Sequence, residues 1–229
     1  MIPSDALAPS ADIRAHFVHR LNMALRRPSL WGDEAVLQLM CEDLLYVEGR
    51  AGAWAEQRAE WEARGAWSPL GAKGAFTRHL HLQGHEYAVA SLYAELAHRA
   101  GWLRADRLLT GDEYARLRAT VRDWTVERDR DWTDVTTAFG PPSVRFGGSD
   151  PRYGKALGYA TADPADPVVT FHLWNGTAPG AAYTWPPEHT QPVLLATRWG
   201  SGPFPQSFAF TPEGERQRPA VSETVSLFD

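Results

Sequence analysis

Apolar residues recur at spacings of three and four through the first 139 residues, which is the pattern of amphipathic helices. Glycine, proline and capping residues divide this region. The fifth helix is predicted with the clearest start, because the sequence TGDE places Glu113 at the capping-box position after Thr110. The predicted helices run from Ser10 to before Pro28, from near Asp33 to Gly49, over about 51–63, between Gly84 and Gly101, from Thr110 through Trp124, and, as a short one, from Thr133.

From Gly140 onward the pattern changes to short alternating runs separated by turn residues, which predicts strands. The four candidates are KALGYAT, PVVTFHLWN, PVLLATRWG and QSFAFT. Their connections lack a crossover helix, so antiparallel pairing is favoured. The predicted fold is α+β, with an N-terminal layer of five to six helices packed on a small, mainly antiparallel C-terminal sheet. A helical region (1–139), a sheet region (140–212) and a polar tail (213–229) would form one compact domain or two tightly packed subdomains.

The strand VVTFHLWNG has apolar or aromatic residues on both faces. Alternation places Val169, Phe171 and Leu173 on one face, and Thr170, His172 and Trp174 on the other. The next strand candidate divides in the same way, into Val193, Leu195, Thr197 and Trp199 against Leu194, Ala196 and Arg198. One face is expected to cover the sheet's own core and the other to receive the helices. His172 and Trp174 would then either pack at that seam or line an open groove.

Composition narrows the functional classes. The net charge is −5, so nucleic-acid binding is not expected. The single cysteine, Cys41, lies in an apolar helical context and is predicted to be a buried, inert thiol. The sequence lacks a long apolar run and a charged-then-apolar leader, so a cytoplasmic protein without membrane association is predicted.

Several residues are candidates for chemistry at the seam. A small-molecule pocket would be built from His172, Trp174 and Arg198, with His85 and Glu95 as further candidates. A metal site is a weaker candidate, because it needs converging imidazole and carboxylate ligands from separate segments. Its ligands would be His81, His85, Glu95 and His98. No complete catalytic constellation is apparent, and no cofactor is predicted.

Aromatic and acidic residues also suggest a protein-binding surface. The chain contains 10 tryptophans, and tryptophan is enriched at protein interfaces. The predicted contact residues are Trp54, Trp61, Trp67, Trp185, Glu56, Glu60 and Glu62. For each tryptophan, a place in the core is the competing interpretation.

Two short stretches resemble known proteins. ALRRPSLWGDEAVLQLM resembles an Arg-Pro-x-Leu/Met-aromatic-Gly opening of uncharacterised actinobacterial proteins, some of which are similar to immunity proteins of bacterial toxin systems, through Arg27, Pro28, Leu30, Trp31 and Gly32. DVTTAFGPPSV is similar to the helix–Gly-x-Pro–strand junction of small lipoprotein-type α/β folds. Neither resemblance supplies catalytic residues.

The leading functional hypothesis is therefore a cytoplasmic, non-enzymatic binding protein, immunity-like, with a basic protein partner. The alternative is a small-molecule enzyme, metal-dependent or not, with a pocket between helices and sheet. A structural subunit that buries the tryptophan-bearing third helix in an oligomer is a further alternative. The sequence does not specify the oligomeric state.

Overall fold

In the computed structural model, most helices precede the strands and one short helix follows them; the described residues are 10–31, 33–80, 86–181, 186–200 and 202–219. The helices are α1 (Ser10–Arg26), α2 (Pro28–Trp31), α3 (Glu34–Val47), α4 (Ala53–Arg64), α5 (Gly71–Phe76), α6 (Glu86–Arg99), α7 (Gly111–Glu127), α8 (Trp132–Phe139) and α9 (Pro212–Arg216). The strands are β1 (Val144–Phe146), β2 (Lys155–Tyr159), β3 (Val169–Trp174), β4 (Val193–Arg198) and β5 (Phe208–Phe210). The α+β prediction is confirmed.

Side-chain capping fixes the starts of α7 and α8. Thr110 and Glu113 form the predicted capping box at the start of α7, with the Thr110 side chain and the Glu113 carboxylate each accepting from the other residue's backbone. A second capping box, Asp131 with Asp134, begins α8 one residue before the predicted start. Each box satisfies backbone N–H groups that the first helical turn leaves without partners.

The five strands form one antiparallel meander in the order β1-β2-β3-β4-β5. The register shifts between His172 and Leu173, so that Leu194 pairs with Leu173 whereas Ala196 pairs with His172. Leu195 is the extra residue of this β-bulge, and it joins Ala196 in one core cluster while Leu194 joins the other. The strict alternation predicted for β4 is therefore wrong, because the bulge reverses the side on which Leu195 and Leu194 lie.

Helices cover both faces of the sheet. The His172 face, which comprises Thr170, His172 and Trp174, lies toward α6 and the amino-terminal helices. The Phe171 face, which comprises Val169, Phe171 and Leu173, packs against α7 and α8. The expected seam between the amino-terminal helices and the His172 face is confirmed. The opposite face is covered by α7 and α8 rather than by the sheet itself, so the sheet lies between two helical layers.

The short helix α9 closes the end of the bulged strand, where the sequence predicts the start of a polar tail. Thr211 caps α9 and its hydroxyl donates to the Leu194 carbonyl at 2.6 Å. A Cβ atom on Gly214 would overlap the backbone carbonyl of Leu195, so the close approach of α9 to β4 requires glycine. Residues 220–229 of the predicted tail lie outside the described part of the chain.

Among the described residues, none of the helices combines the length and the apolar character needed to cross a bilayer.

Candidate functional site

A buried ion pair joins the centre of α6 to the end of β4. Arg198 has 0% of its side chain exposed, and its Nη1 lies 2.5 Å from Glu95 Oε1. Its Nη2 donates to the hydroxyl of Ser91, one turn earlier on α6, at 3.1 Å. A buried guanidinium needs a carboxylate and hydrogen-bond acceptors to offset its lost hydration, and α6 supplies both.

Other polar groups surround this pair on the His172 face. Besides the ion-paired Glu95 Oε1 and Arg198 Nη1, four buried polar atoms of the described residues here have no hydrogen-bond partner in the protein: Thr170 Oγ1, His172 Nδ1, His172 Nε2 and Arg198 Nε. Buried polar atoms in folded proteins nearly always have a partner, and leaving one without costs about 1–3 kcal/mol. Together, these residues form what we call the polar cluster: Ser91, Glu95, Thr170, His172 and Arg198.

Aromatic side chains form the apolar walls of the polar cluster. The Arg198 guanidinium carbon lies 5.6 Å from the Phe76 ring centroid and 5.7 Å from that of Phe204. The His172 ring meets Phe76 edge-on at 5.7 Å between centroids and lies 6.1 Å from Phe208. Ring faces attract cations, so these walls favour the charged form of Arg198 without providing hydrogen bonds.

The electrostatics of the polar cluster follow from burial. Burial, with a smaller contribution from the Arg198 charge, holds the pKa of His172 well below its usual 6.5, so the imidazole is neutral at neutral pH. Burial also lowers the pKa of Arg198, and Glu95 opposes that effect. A neutral imidazole has one donor and one acceptor, so His172 can bind a group of either kind.

A small cavity adjoins the polar cluster at Glu95. It has a volume of about 60 Å³ and is lined by Arg64, Glu95, His98, Arg99, residues 164–168 and Gly200. Arg64 and Arg99 both contact the Glu60 carboxylate, at 3.3 and 3.2 Å. His98 Nε2 lies 3.0 Å from the Asp163 carbonyl oxygen. Glu95 therefore belongs both to the buried polar cluster and to a cavity that reaches the protein surface.

The structure brings some of the residues predicted at the seam into the polar cluster and places others elsewhere. His172 and Arg198 lie in the polar cluster, and Glu95, predicted both as a further pocket residue and as a metal ligand, is the ion-pair partner of Arg198. Trp174 lies further along the same strand face and packs near Gly154, where an added Cβ would be 3.4 Å from the indole. Within the described residues, no group of three or more His, Cys, Asp or Glu side chains is arranged to hold a metal ion. His81 and His85 lie outside the described residues.

Three of the predicted contact tryptophans, Trp54, Trp61 and Trp67, form an aromatic cluster with Tyr93. Trp61 is 0% exposed, and Trp54 and Trp67 are partly buried against the same core. Trp61 stacks on Trp67 at 5.8 Å and meets Tyr93 edge-on at 5.2 Å between centroids. Trp61 is thus a core residue and cannot touch a partner, whereas Trp185 lies outside the described residues.

The three predicted acidic contact residues lie on α4 beside arginines. Glu56 and Glu62 are exposed and Glu60 is half-buried. Glu62 pairs with Arg58 at 2.8 Å, and Glu60 pairs with two arginines. These pairings reduce the negative charge that α4 presents to a partner.

Lys155, on the Phe171 face, is a buried charge that the sequence analysis missed. Its Nζ donates to the carbonyls of Gly148 and Asp150, at 3.2 and 2.7 Å, and lies 4.3 Å from the Trp132 ring centroid. Burial lowers its pKa to about 8. These contacts hold the loop before β2, so we assign Lys155 to positioning that loop.

The polar cluster also includes Thr170, which the alternation of β3 places on the same face as His172, and Ser91, which sequence reasoning missed. The available signal was Arg198 itself, because an arginine inside an apolar strand requires polar partners from the packed helix. No protein-family model, no curated protein and no solved structure matches this chain.

Proposed function

We propose that the protein binds a small polar molecule at the seam between α6 and the sheet, and that this ligand contacts the polar cluster. The observation that carries the proposal is the group of buried polar atoms without partners around Arg198 and His172. A packing role would be served as well by apolar side chains, which carry no desolvation cost. The adjoining cavity is lined by Glu95, the ion-pair partner of Arg198, and gives a ligand access to that side of the polar cluster.

The available groups indicate the chemistry of the ligand. Arg198 Nε is a hydrogen-bond donor and needs an acceptor oxygen, whereas His172 can donate through one ring nitrogen and accept through the other. The Glu95 carboxylate accepts hydrogen bonds and matches an N–H or O–H donor on the ligand. The matching ligand carries an acceptor oxygen and a donor within a few heavy atoms, as small amides, hydroxy acids and amino acids do. The cavity volume of about 60 Å³ sets the same upper size.

A thermal-shift panel tests this proposal. The probes are glycolate, glycine, acetamide and urea, each at about tenfold its dissociation constant or at about 10 mM when the constant is unknown. Binding at that ratio contributes about 1.4 kcal/mol, so we expect at least one probe to raise Tm by about 3 °C. The Glu95→Leu/Arg198→Met double variant should show no shift. A panel without any shift, or equal shifts in both proteins, would overturn the proposal.

A second candidate function is the binding of a basic protein, as the resemblance to immunity proteins implies. The observation in its favour is the outer side of α3, which we call the α3 stripe: Leu39, Glu42, Asp43 and Tyr46. Leu39 is 58% exposed and Tyr46 75% exposed. Residues at these spacings share one side of a helix, so two acids lie between two exposed apolar side chains. Such a surface complements a basic partner.

Capture from a lysate of the native host tests the α3 stripe. Immobilised wild type should retain a basic protein that is released at about 0.5 M salt, and the Leu39→Ser/Tyr46→Ser variant should not retain it. Leu108→Ser is the matched control, because Leu108 is 49% exposed and lies outside α3. Equal capture by wild type and the α3 variant would contradict this function, as would the recovery of no basic protein.

A further inference from the structure

A second concave surface lies on the opposite side of the sheet from the polar cluster. We call it the α7–α8 groove; it has a volume of about 460 Å³, within the usual range for small-molecule sites. Its lining residues come from the segment before α7, from α7 and from the end of α8: Arg107, Leu109, Glu113, Arg116, Leu117, Thr120, Ala138, Phe139 and Gly140.

The floor of the groove is apolar and fixed in place. Leu109 and Leu117 are buried members of the core beneath the Phe171 face, and Phe139 packs against them. The Phe139 ring meets Trp124 edge-on at 4.9 Å and Phe171 at 5.3 Å between centroids. Because these side chains are held from below, the groove exists before any ligand arrives, which reduces the ordering cost of binding.

The rim of the groove carries one surplus positive charge. Arg107 Nη2 lies 2.6 Å from Glu113 Oε1, and Glu113 also caps α7, so these two charges compensate each other. Arg116 is exposed, and its guanidinium makes no ion pair or hydrogen bond with a described residue. A guanidinium above an apolar floor matches a carboxylate attached to a hydrocarbon body.

We propose that the α7–α8 groove binds a small carboxylate with an aromatic or aliphatic body of about ten heavy atoms. The hydrocarbon lies on Phe139 and Leu117, and the carboxylate pairs with Arg116. This site is independent of the polar cluster, since the sheet separates the two, and it does not rest on the function proposed above.

The test uses three probes that share one hydrocarbon body: 4-phenylbutyrate, 4-phenylbutan-1-ol and 4-phenylbutylamine. Calorimetric titration of the wild type should give a dissociation constant of about 1 mM for the carboxylate, as its size allows. The alcohol should bind about fivefold more weakly, because it lacks the partly exposed charge pair, and the amine more weakly still.

Three variants locate the site. Arg116→Gln should weaken 4-phenylbutyrate about fivefold and leave the alcohol unchanged. The matched control Arg122→Gln removes an exposed arginine of α7 that does not line the groove, and it should leave both affinities unchanged. Ala138→Phe fills the groove from an exposed position, and it should weaken the carboxylate and the alcohol alike.

Four results would overturn the proposal. They are the absence of carboxylate binding at about tenfold the expected constant, equal binding of carboxylate and alcohol, an equal loss in the Arg116 and Arg122 variants, and unchanged binding in Ala138→Phe. The Glu95→Leu/Arg198→Met variant should bind 4-phenylbutyrate as the wild type does. Failure of this site is therefore distinguishable from failure of the site at the seam.

Discussion

Removing one charge of the Glu95–Arg198 pair should destabilise the fold much more than removing both. Breaking a buried pair typically costs about 3–5 kcal/mol, because the remaining charge stays buried without a partner. Glu95→Leu strands Arg198, whose side chain is 0% exposed, so we expect a cost of about 4 kcal/mol. Arg198→Met leaves Glu95, which is 11% exposed and faces the seam cavity, so water relieves part of the penalty and we expect about 2 kcal/mol.

The double variant separates this explanation from simple loss of packing. Methionine at position 198 would lie against the Phe76 and Phe204 rings that the Arg198 side chain now contacts, so Glu95→Leu/Arg198→Met should have a free energy of unfolding within about 1 kcal/mol of the wild type. Urea unfolding followed by far-UV circular dichroism gives the free energy of unfolding of all four proteins, and thermal unfolding followed by the same signal gives their Tm. At about 2–4 °C per kcal/mol, Glu95→Leu should lower Tm by about 8–16 °C.

Two results would refute the prediction for the Glu95 and Arg198 variants. If the double variant lost the sum of the two single losses, the charges would not be coupled. If Glu95→Leu cost less than about 1 kcal/mol, Arg198 would be in contact with water and not buried. The first result would show that Glu95 and Arg198 do not form a stabilising ion pair, and the second would show that Arg198 is not buried. The proposed ligand site depends on both.

Three further predictions concern individual groups. The pKa of His172 is lower in the folded state than in the unfolded state, so below about pH 6.5 only the unfolded chain binds the proton, and the free energy of unfolding decreases as the pH is lowered. In urea unfolding between about pH 6 and pH 5, His172→Phe should remove up to about 1.4 kcal/mol per pH unit of this decrease. An unchanged pH dependence in the variant would contradict the prediction. Burial raises the pKa of the Cys41 thiol, so a thiol reagent such as DTNB should react with it only in denaturant; rapid reaction of the native protein would show an accessible thiol. Gly214→Ala should cost about 2 kcal/mol or more in the same unfolding assay, because the new Cβ meets Leu195 backbone; a smaller loss would mean that α9 moves freely away from β4.

The elements with a regular period were predictable from sequence, and the irregular ones were not. The apolar residues on both faces of β3 required cover on two sides, and the structure has it. The Leu195 bulge was not predictable, because alternation assumes one residue per ladder position. The strand β1 has three residues, too few for alternation to stand out from the surrounding turns.

The candidate site was predictable only in part, for a physical reason. The sequence indicated that His172 and Arg198 share the seam, because the strand alternation determines the side on which each one lies. It could not indicate that Glu95 is the partner of Arg198, since that contact depends on how α6 is rotated against the sheet. The positions of the tryptophans could not be predicted either, because composition does not distinguish an interface residue from a buried one such as Trp61.

Stability alone does not account for the polar cluster. The sheet already has two apolar faces and two helical layers, so Arg198 is not needed to complete the core. Replacement of a buried ion pair by apolar side chains is often neutral or stabilising. The cluster adds the desolvation of Arg198 and of a neutral His172, and Glu95, the partner of Arg198, also lines a cavity. A ligand that supplies hydrogen bonds to the partnerless atoms of the cluster would offset this cost, which apolar side chains at the same positions would not incur.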